Sequence, residues 1–471
     1  MTDTLDESIL PPPDKPEPLP APLPAPVVEA TSEPERTPAA VLPASAPTPA
    51  PSPDANVTTT DEIVLDIEQL RWRRAVTVGL LAYLVSRLCV LGGAIIRASQ
   101  VTIDAREDGE AEKGAVELIS QVLTSWDGRW YLELVRNGYP DGIPANITYE
   151  QTEARAAFFP MYPGAVRVFD SVFPGGDTIA ALFLNFLLGG VAVVLVGLLA
   201  RRIFSSSVAA RTMVLFAVFP GSFVLSFAYS EALFVVFAAS CLLLLYDEQW
   251  LLAGLAAALA TATRPNGIAI VFACLVASAI AIKTKREWSS LLAVLIAPLG
   301  FVGFQLYVDD VAGERGAWFR VQTEAWSEGT SFGATAVENT LSFLTSPFDS
   351  TADALTVLSL GALALMVFAA YKKRLPLPWI AFSAVIIALM LIPETVTARP
   401  RFVFTAFPLF IAVAAWWPQP GRGSDPTSDS EVDAGDDALS WERQSWNFVV
   451  IACGAGLAIL TNLYGVFGAI P

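Results

Sequence analysis

Apolar positions along the chain fall into long runs separated by short polar segments. A helix needs roughly 20 residues to cross the hydrocarbon core of a bilayer, and most of the runs approach or exceed that length. The runs lie at 75–97, 178–200, 212–229, 231–246, 249–263, 266–283, 289–308, 353–371, 376–393, 402–418 and 446–468. They predict an all-α polytopic membrane protein with about 11 transmembrane helices, of which 249–263 and 402–418 are short enough to be partial or tilted spans.

Basic residues between these runs predict the orientation of the helices, because Lys and Arg concentrate in cytoplasmic loops. Three arginines at 71–74 precede the first run, and Arg201 and Arg202 follow the second. The sequences KTKR (283–286) and KKR (372–374) follow the sixth and eighth runs. With a cytoplasmic N-terminus, alternating spans place all four clusters in the cytoplasm. The loops 98–177 and 309–352 and the turns near 230, 265 and 397 are then predicted on the other face.

Composition agrees with a membrane protein and divides the chain into regions. The 471 residues are 54% hydrophobic and 16% charged, with a mean hydropathy of +0.52. The net charge of −17 is concentrated in two acidic tracts. We predict a disordered, Pro/Ala-rich cytoplasmic tail (1–70), a transmembrane catalytic core (71–418), an acidic cytoplasmic loop (419–444) and a C-terminal transmembrane helix (445–471).

Residue usage also excludes several classes of chemistry. The pI of about 4.5 argues against nucleic acid as a partner, which would require a basic surface. Histidine, the commonest general base and transition-metal ligand, is missing from the whole sequence. The four cysteines lie within apolar runs and are predicted to be small buried side chains. The sequence indicates no cofactor and leaves participation of a divalent metal open.

The segment SWDGRWYLELVRNGYP (125–140) carries the first candidate acid. Leu123, Trp126, Trp130 and Leu134 recur at helical spacing, which predicts an amphipathic helix in the membrane interface with Asp127 beside its apolar stripe. Asp127 has two interpretations. It is either the acid at the start of a helix within an aromatic belt, or a base that accepts a proton from a sugar hydroxyl.

Further charged groups interrupt apolar segments on the same predicted face. Glu231 begins a span in FAYSEALF, and Arg264 lies in the break TRPNG (263–267). Arg399 and Arg401 follow in PETVTARPRF. Outward arginines oppose the usual charge bias, and a guanidinium suits a phosphate, although an arginine reaching to lipid headgroups explains them equally simply. The charged residues of the loop 309–352 are predicted to be ordinary solvated side chains.

Four motifs together resemble the PIG-V mannosyltransferases. They are WDGRWYLELVRNGY (126–139), FFPMYPG (158–164), FPGSFVLSFAYSEALF (219–234) and TRPNG (263–267). This family belongs to the GT-C superfamily and includes GPI mannosyltransferase 2 and actinobacterial relatives. The resemblance covers about residues 75–310, and the two acidic tracts depart from the family pattern.

The resemblance implies a GT-C glycosyltransferase that takes mannose from a polyprenyl-phosphate mannose donor. It implies Asp127 as the catalytic acid–base group and extends to Glu231 and Arg264 without fixing their roles. From the residues themselves, Glu231 is expected to assist Asp127, and Arg264, with Arg399 or Arg401, is expected at the donor phosphate. Substrate contacts are expected from Trp126, Tyr131, Tyr229, Ser230 and Asn266. The expected acceptor is a glycolipid or another cell-envelope glycan, at the extracytoplasmic face of a bacterial cytoplasmic membrane. A transporter or flippase of a lipid-linked sugar is the alternative, since it would bind phosphate with the same arginines.

Overall fold

The computed structural model describes residues 60–466 apart from 110, 112, 348, 395–398 and 419–431, and this part of the chain is almost wholly helical. In chain order the α-helices are α1 (Thr60–Glu107), α2 (Ala115–Leu123), α3 (Asp127–Asn137), α4 (Met161–Asp170), α5 (Asp177–Ile203), α6 (Ser206–Val218), α7 (Glu231–Tyr246), α8 (Trp250–Thr261), α9 (Ile268–Lys285), α10 (Leu291–Ile296), α11 (Leu299–Ala312), α12 (Ala317–Ala325), α13 (Ala334–Thr345), α14 (Thr351–Lys373), α15 (Leu377–Leu391), α16 (Arg399–Thr405), α17 (Pro408–Trp416) and α18 (Val432–Tyr464). Short 3-10 helices lie at Thr152–Ala157, Pro220–Leu225, Pro265–Gly267 and Trp288–Ser290.

Six helical segments of the described residues are long and apolar enough to cross a membrane. They are Ile67–Glu107, Asp177–Ile203, Pro265–Lys285, Trp288–Ala312, Thr351–Lys373 and Glu442–Tyr464. Large apolar side chains such as Leu81, Leu84 and Leu88 of α1 are exposed, as expected where a helix faces lipid. The predicted all-α polytopic membrane fold is confirmed.

The remaining apolar runs form shorter helices, so the prediction of about 11 full spans is not confirmed. The run 212–229 is divided between α6 and the 3-10 helix that begins at Pro220, and 402–418 is divided at Pro408 between α16 and α17. Proline lacks an N–H donor and clashes with the preceding turn, which ends a helix. Helices α7, α8 and α15 are also shorter than 18 residues.

Two helices begin inside regions that were predicted as a tail and a loop. Helix α1 begins at Thr60, inside the tail predicted over 1–70, and residues 1–59 lie outside the described residues. Helix α18 begins at Val432, inside the loop predicted over 419–444, and 419–431 are not described. Acidic side chains favoured a tail and a loop at these positions, but charged residues are tolerated in the part of a helix that extends beyond its apolar segment.

Three of the four predicted cytoplasmic basic clusters gather at one end of the helices. Arg201, in the last turn of α5, lies 5.0 Å over the ring of Trp72 near the start of α1. Arg202 pairs with Asp247 after α7 at 2.8 Å, and Lys285 at the end of α9 pairs with Glu248. Helix α7 starts at the opposite end, where its first residue is Glu231. The candidate site therefore forms at the helix ends remote from these clusters.

Candidate active site

A cavity of about 820 Å³ lies where the ends of several helices meet the loop segments between them. One part of its wall is charged and polar, with Asp127, Arg264, Asn266 and Arg401. The other part is aromatic and comes from the segments before α4 and after α11. Its aromatic members are Tyr149, Phe158, Phe159, Trp318, Phe319 and Trp326.

Asp127 is placed by a break between two helices. Helix α2 ends at Leu123, and α3 begins at Asp127 after Trp126 adopts a φ of 57°. A non-glycine residue with positive φ is uncommon and is maintained only by surrounding contacts. The predicted single helix over the stripe from Leu123 to Leu134 is therefore wrong, because the chain bends sharply just before the acid. Asp127 does occupy a helix start, where the helix dipole favours a carboxylate.

Three contacts hold this bend. The indole Nε1 of Trp126 donates to the main-chain carbonyl of Tyr464 at 2.8 Å, and Ser125 Oγ donates to the same carbonyl at 3.1 Å. The Tyr229 hydroxyl donates to the Ser125 carbonyl at 3.1 Å. The last long helix and the segment before α7 thus fix the position of the acid.

Arg401 pairs directly with Asp127. Its Nη1 lies 2.6 Å from Asp127 Oδ2, and both side chains are largely buried. Arg401 stands in α16, which packs closely on the 3-10 helix at Pro220–Leu225. A Cβ on Gly221 would lie 2.3 Å from the Pro400 carbonyl oxygen, so only glycine permits this approach. The FPGS sequence therefore helps to bring Arg401 to the acid.

Glu231 and Arg264 form a second ion pair next to the first. The Glu231 side chain is 1% exposed and that of Arg264 is 9% exposed. Arg401 Nη1 also lies 3.8 Å from Glu231 Oε1, which joins the two pairs into one cluster. Two carboxylates and two guanidiniums leave this cluster without formal net charge, and the Glu231–Arg264 pair is the more deeply buried of the two.

Tyr131 and Ser230 are joined behind this cluster. Tyr131 Oη and Ser230 Oγ share a hydrogen bond of 2.7 Å, and both residues are buried. Burial raises the pKa of the Tyr131 phenol, with the charge of Arg264 opposing the shift. The phenol therefore remains a hydroxyl at neutral pH. Tyr131 lines the cavity, whereas Ser230 supports it from behind.

The predicted site residues that do not line the cavity are Ser230, Glu231 and Arg399. Ser230 and Glu231 each contact a residue that does line it, whereas Arg399 is held elsewhere. Its guanidinium hydrogen-bonds Thr356 of α14, and the residue is 1% exposed. Side chains two positions apart in a helix point to nearly opposite sides, so Arg401 faces the cavity while Arg399 faces away from it. The geometry does not support the predicted role of Arg399 at the donor phosphate.

Arg87 in the middle of α1 is a buried positioning group that the sequence analysis missed. It donates to the Ser222 carbonyl at 2.9 Å, to Ser226 Oγ at 2.8 Å and to the Ala217 carbonyl at 3.2 Å. These acceptors belong to the interrupted helix before Tyr229, whose carbonyls lack helical partners. An arginine inside a predicted span was the available signal, because such residues are rarely placed there without a partner.

The aromatic wall was also missed. Trp326 meets Tyr149 edge-on at 4.9 Å and Phe158 at 5.4 Å, measured between ring centroids. The loop 309–352, predicted to carry ordinary solvated charges, contains α12 and closes this side of the cavity. Its tryptophans at 318 and 326 were a usable signal. Among the described residues, no three His, Cys, Asp or Glu side chains come together as a metal-binding group.

Comparisons with known proteins agree with the broader class. Residues 157–307, less than half of the chain, match the family model described as dolichyl-phosphate-mannose-protein mannosyltransferase. No curated protein sequence matches. The segment match supports a membrane glycosyltransferase of the GT-C type and does not distinguish PIG-V from other families of that type.

Two kinds of solved structure are similar to parts of this chain. ArnT from Cupriavidus metallidurans bound to undecaprenyl phosphate is 16% identical, with a TM-score of 0.46 over 74% of this chain and 76% of that one. The apo oligosaccharyltransferase of Archaeoglobus fulgidus is 13% identical, with a TM-score of 0.47 over 84% of this chain. The chain spans 56% of the oligosaccharyltransferase.

Proposed function

We propose that the chain is an inverting glycosyltransferase that moves mannose from polyprenyl-phosphate mannose to an acceptor hydroxyl on a glycolipid or another cell-envelope glycan. The reaction takes place at the extracytoplasmic face of a bacterial cytoplasmic membrane. The location of the cavity at the helix ends remote from the basic clusters supports this side, because those clusters favour the cytoplasm.

The observation that carries the proposal is the pairing of Asp127 with Arg401 in the cavity wall. Arg401 holds Asp127 Oδ2, and Oδ1 has no hydrogen-bond partner among the described residues. One oxygen is therefore fixed while the other remains able to accept a proton. This arrangement fits a base that must be oriented toward a substrate hydroxyl.

In the proposed step, the acceptor oxygen attacks the anomeric carbon while the bond from that carbon to the phosphate oxygen breaks. The bonding pair leaves with the polyprenyl phosphate, and the acceptor proton passes to Asp127. The attack comes from the face opposite the phosphate, so the anomeric configuration inverts. One sugar–oxygen bond replaces another, and no redox partner is required.

The leaving phosphate gains negative charge, and Arg264 and Arg401 are the cations in the cavity wall positioned to stabilise it. Both are already paired with carboxylates, so the phosphate shares them instead of meeting a free positive charge. Fixed charges act more strongly in such a buried site than in water. Glu231 holds Arg264 in place and assists through that contact.

A transfer assay in detergent tests the proposal. Purified protein receives radiolabelled decaprenyl-phosphate mannose and a lipid extract that contains candidate acceptors, and the products are separated by chromatography. Label in a new product supports a transferase, because no membrane is present to be crossed. Label that remains entirely on the donor, in protein that nevertheless moves the donor between leaflets of a vesicle, would instead identify a flippase.

A further inference from the structure

Two buried polar side chains in the cavity wall have unused hydrogen-bonding atoms. Asn266 is 5% exposed, and both Oδ1 and Nδ2 are without a partner among the described residues. Tyr464 is 3% exposed, and its hydroxyl likewise has no partner there. Both residues line the cavity. Buried polar atoms are costly when left unpaired, so a ligand that completes these bonds would be favoured.

Close packing fixes the segments of chain that carry both side chains. Asn266 lies in the short 3-10 helix Pro265–Gly267 between α8 and α9, where a Cβ on Gly267 would lie 2.6 Å from the Ala260 carbonyl oxygen. The ring of Tyr464 packs on Phe223 with centroids 4.2 Å apart, and its main-chain carbonyl accepts from Trp126. The unused atoms therefore belong to fixed walls of the cavity.

The types of atom identify the chemistry of the ligand. An amide offers a donor and an acceptor, and a phenol offers both in one group. An ionised phosphate only accepts hydrogen bonds, so it would leave Asn266 Oδ1 unpaired. A hydroxyl group both donates and accepts and can satisfy all three atoms. A polyhydroxylated group is the ligand that fits.

The charges beside the cavity further limit the kind of sugar that would bind. Asp127, Glu231, Arg264 and Arg401 form two ion pairs whose charges balance, so the cluster has no surplus charge that would select a charged sugar. Asn266 and Tyr464 are neutral. A neutral hexose matches this environment better than an amino sugar or a uronic acid.

We propose that Asn266 and Tyr464 form the subsite that binds hydroxyl groups of the transferred sugar and selects a neutral hexose. This inference rests on the proposed function. It adds a contact from the last long helix, α18, and assigns the substrate contact predicted for Asn266 to the sugar.

Binding of three lipids by the full-length protein in detergent tests the subsite. The probes are decaprenyl phosphate, decaprenyl-phosphate mannose and decaprenyl phosphate carrying an amino sugar. Asn266→Leu removes both polar atoms at similar size, and Tyr464→Phe removes only the hydroxyl and keeps the carbonyl that holds Trp126. Tyr162→Phe is the matched control, because Tyr162 is also fully buried but does not line the cavity.

The wild-type protein is expected to bind the mannose lipid more tightly than the other two. In Asn266→Leu and Tyr464→Phe, the affinity for the mannose lipid should fall on the order of tenfold, the size expected for one or two lost hydrogen bonds. Affinity for decaprenyl phosphate should remain within about twofold, well below the change expected for a lost hydrogen bond. Tyr162→Phe should resemble the wild type.

If the two variants lose affinity equally for the sugar-bearing and the sugar-free lipids, the subsite is overturned, because the side chains would then act on the phosphate or on folding. Failure of the wild type to prefer the mannose lipid would also overturn it. The transfer assay is separate: preference for the mannose lipid without transfer contradicts the proposed function and leaves the subsite standing. Transfer by the wild type, with no loss of affinity for the mannose lipid in the two variants, would support the proposed function and overturn the subsite.

Discussion

Removal of Glu231 should destabilise the protein more than removal of its partner Arg264. Glu231→Gln leaves Arg264 buried without its counter-ion, while Arg401 remains engaged with Asp127. Arg264→Met leaves Glu231 within 3.8 Å of Arg401, which still compensates part of its charge. The two single variants are therefore not equivalent, although they break the same pair.

The expected size follows from the burial of both partners. Breaking a buried ion pair by removing one member costs about 3–5 kcal/mol. With an unfolding entropy of about 2.1 cal/mol/K per residue, this corresponds to a fall in Tm of roughly 3–5 °C for a chain of this length. Arg264→Met should show a smaller fall, and the double variant should lose less than the sum of the two single variants because neither charge is left alone.

Thermal unfolding in detergent, followed by tryptophan fluorescence, measures these shifts without depending on activity. Glu248→Gln is the matched control, since it breaks an exposed pair with Lys285 and should leave Tm unchanged. Strictly additive losses in the double variant would refute the reasoning, as would a Glu231→Gln protein as stable as the wild type.

Two further substitutions separate positioning from substrate binding. Arg399→Gln should lower Tm but leave the KM for the donor unchanged, because Arg399 contacts Thr356 and does not line the cavity. A raised KM in steady-state transfer assays would show that Arg399 does reach the donor phosphate. Arg87→Met should lower the yield of folded protein and slow transfer, because it removes several hydrogen bonds that hold the segment before Tyr229. A size-exclusion profile and a transfer rate equal to those of the wild type would contradict that role.

The helical, membrane-spanning nature of the chain was predictable because long apolar runs leave few alternatives. Helix interruptions were less predictable. Pro220 and Pro408 divide predicted spans, and the bend at Trp126 depends on contacts with Tyr464, more than 300 residues away in sequence. Periodicity alone extended one helix across that bend, because local patterns contain no information about distant partners.

Much of the candidate site was predictable because its residues contradict their surroundings. Glu231 and Arg264 are charged residues between apolar runs, and the structure pairs them. Arg399 and Arg401 gave the same signal, yet only Arg401 faces the cavity, since the orientation of neighbouring helical residues depends on packing. Tyr464 lies near the end of a long apolar run with no charged neighbour to mark it, so its place in the cavity wall required the tertiary structure.

The rate of sugar transfer by Asp127→Asn tests the central claim most directly. Asparagine preserves the size of the side chain and can still accept a hydrogen bond from Arg401, but it cannot take the acceptor proton. Transfer from decaprenyl-phosphate mannose should fall by about two to four orders of magnitude, the usual contribution of a general base. The variant should remain folded and bind the donor. Transfer at the wild-type rate by folded Asp127→Asn protein would contradict the account.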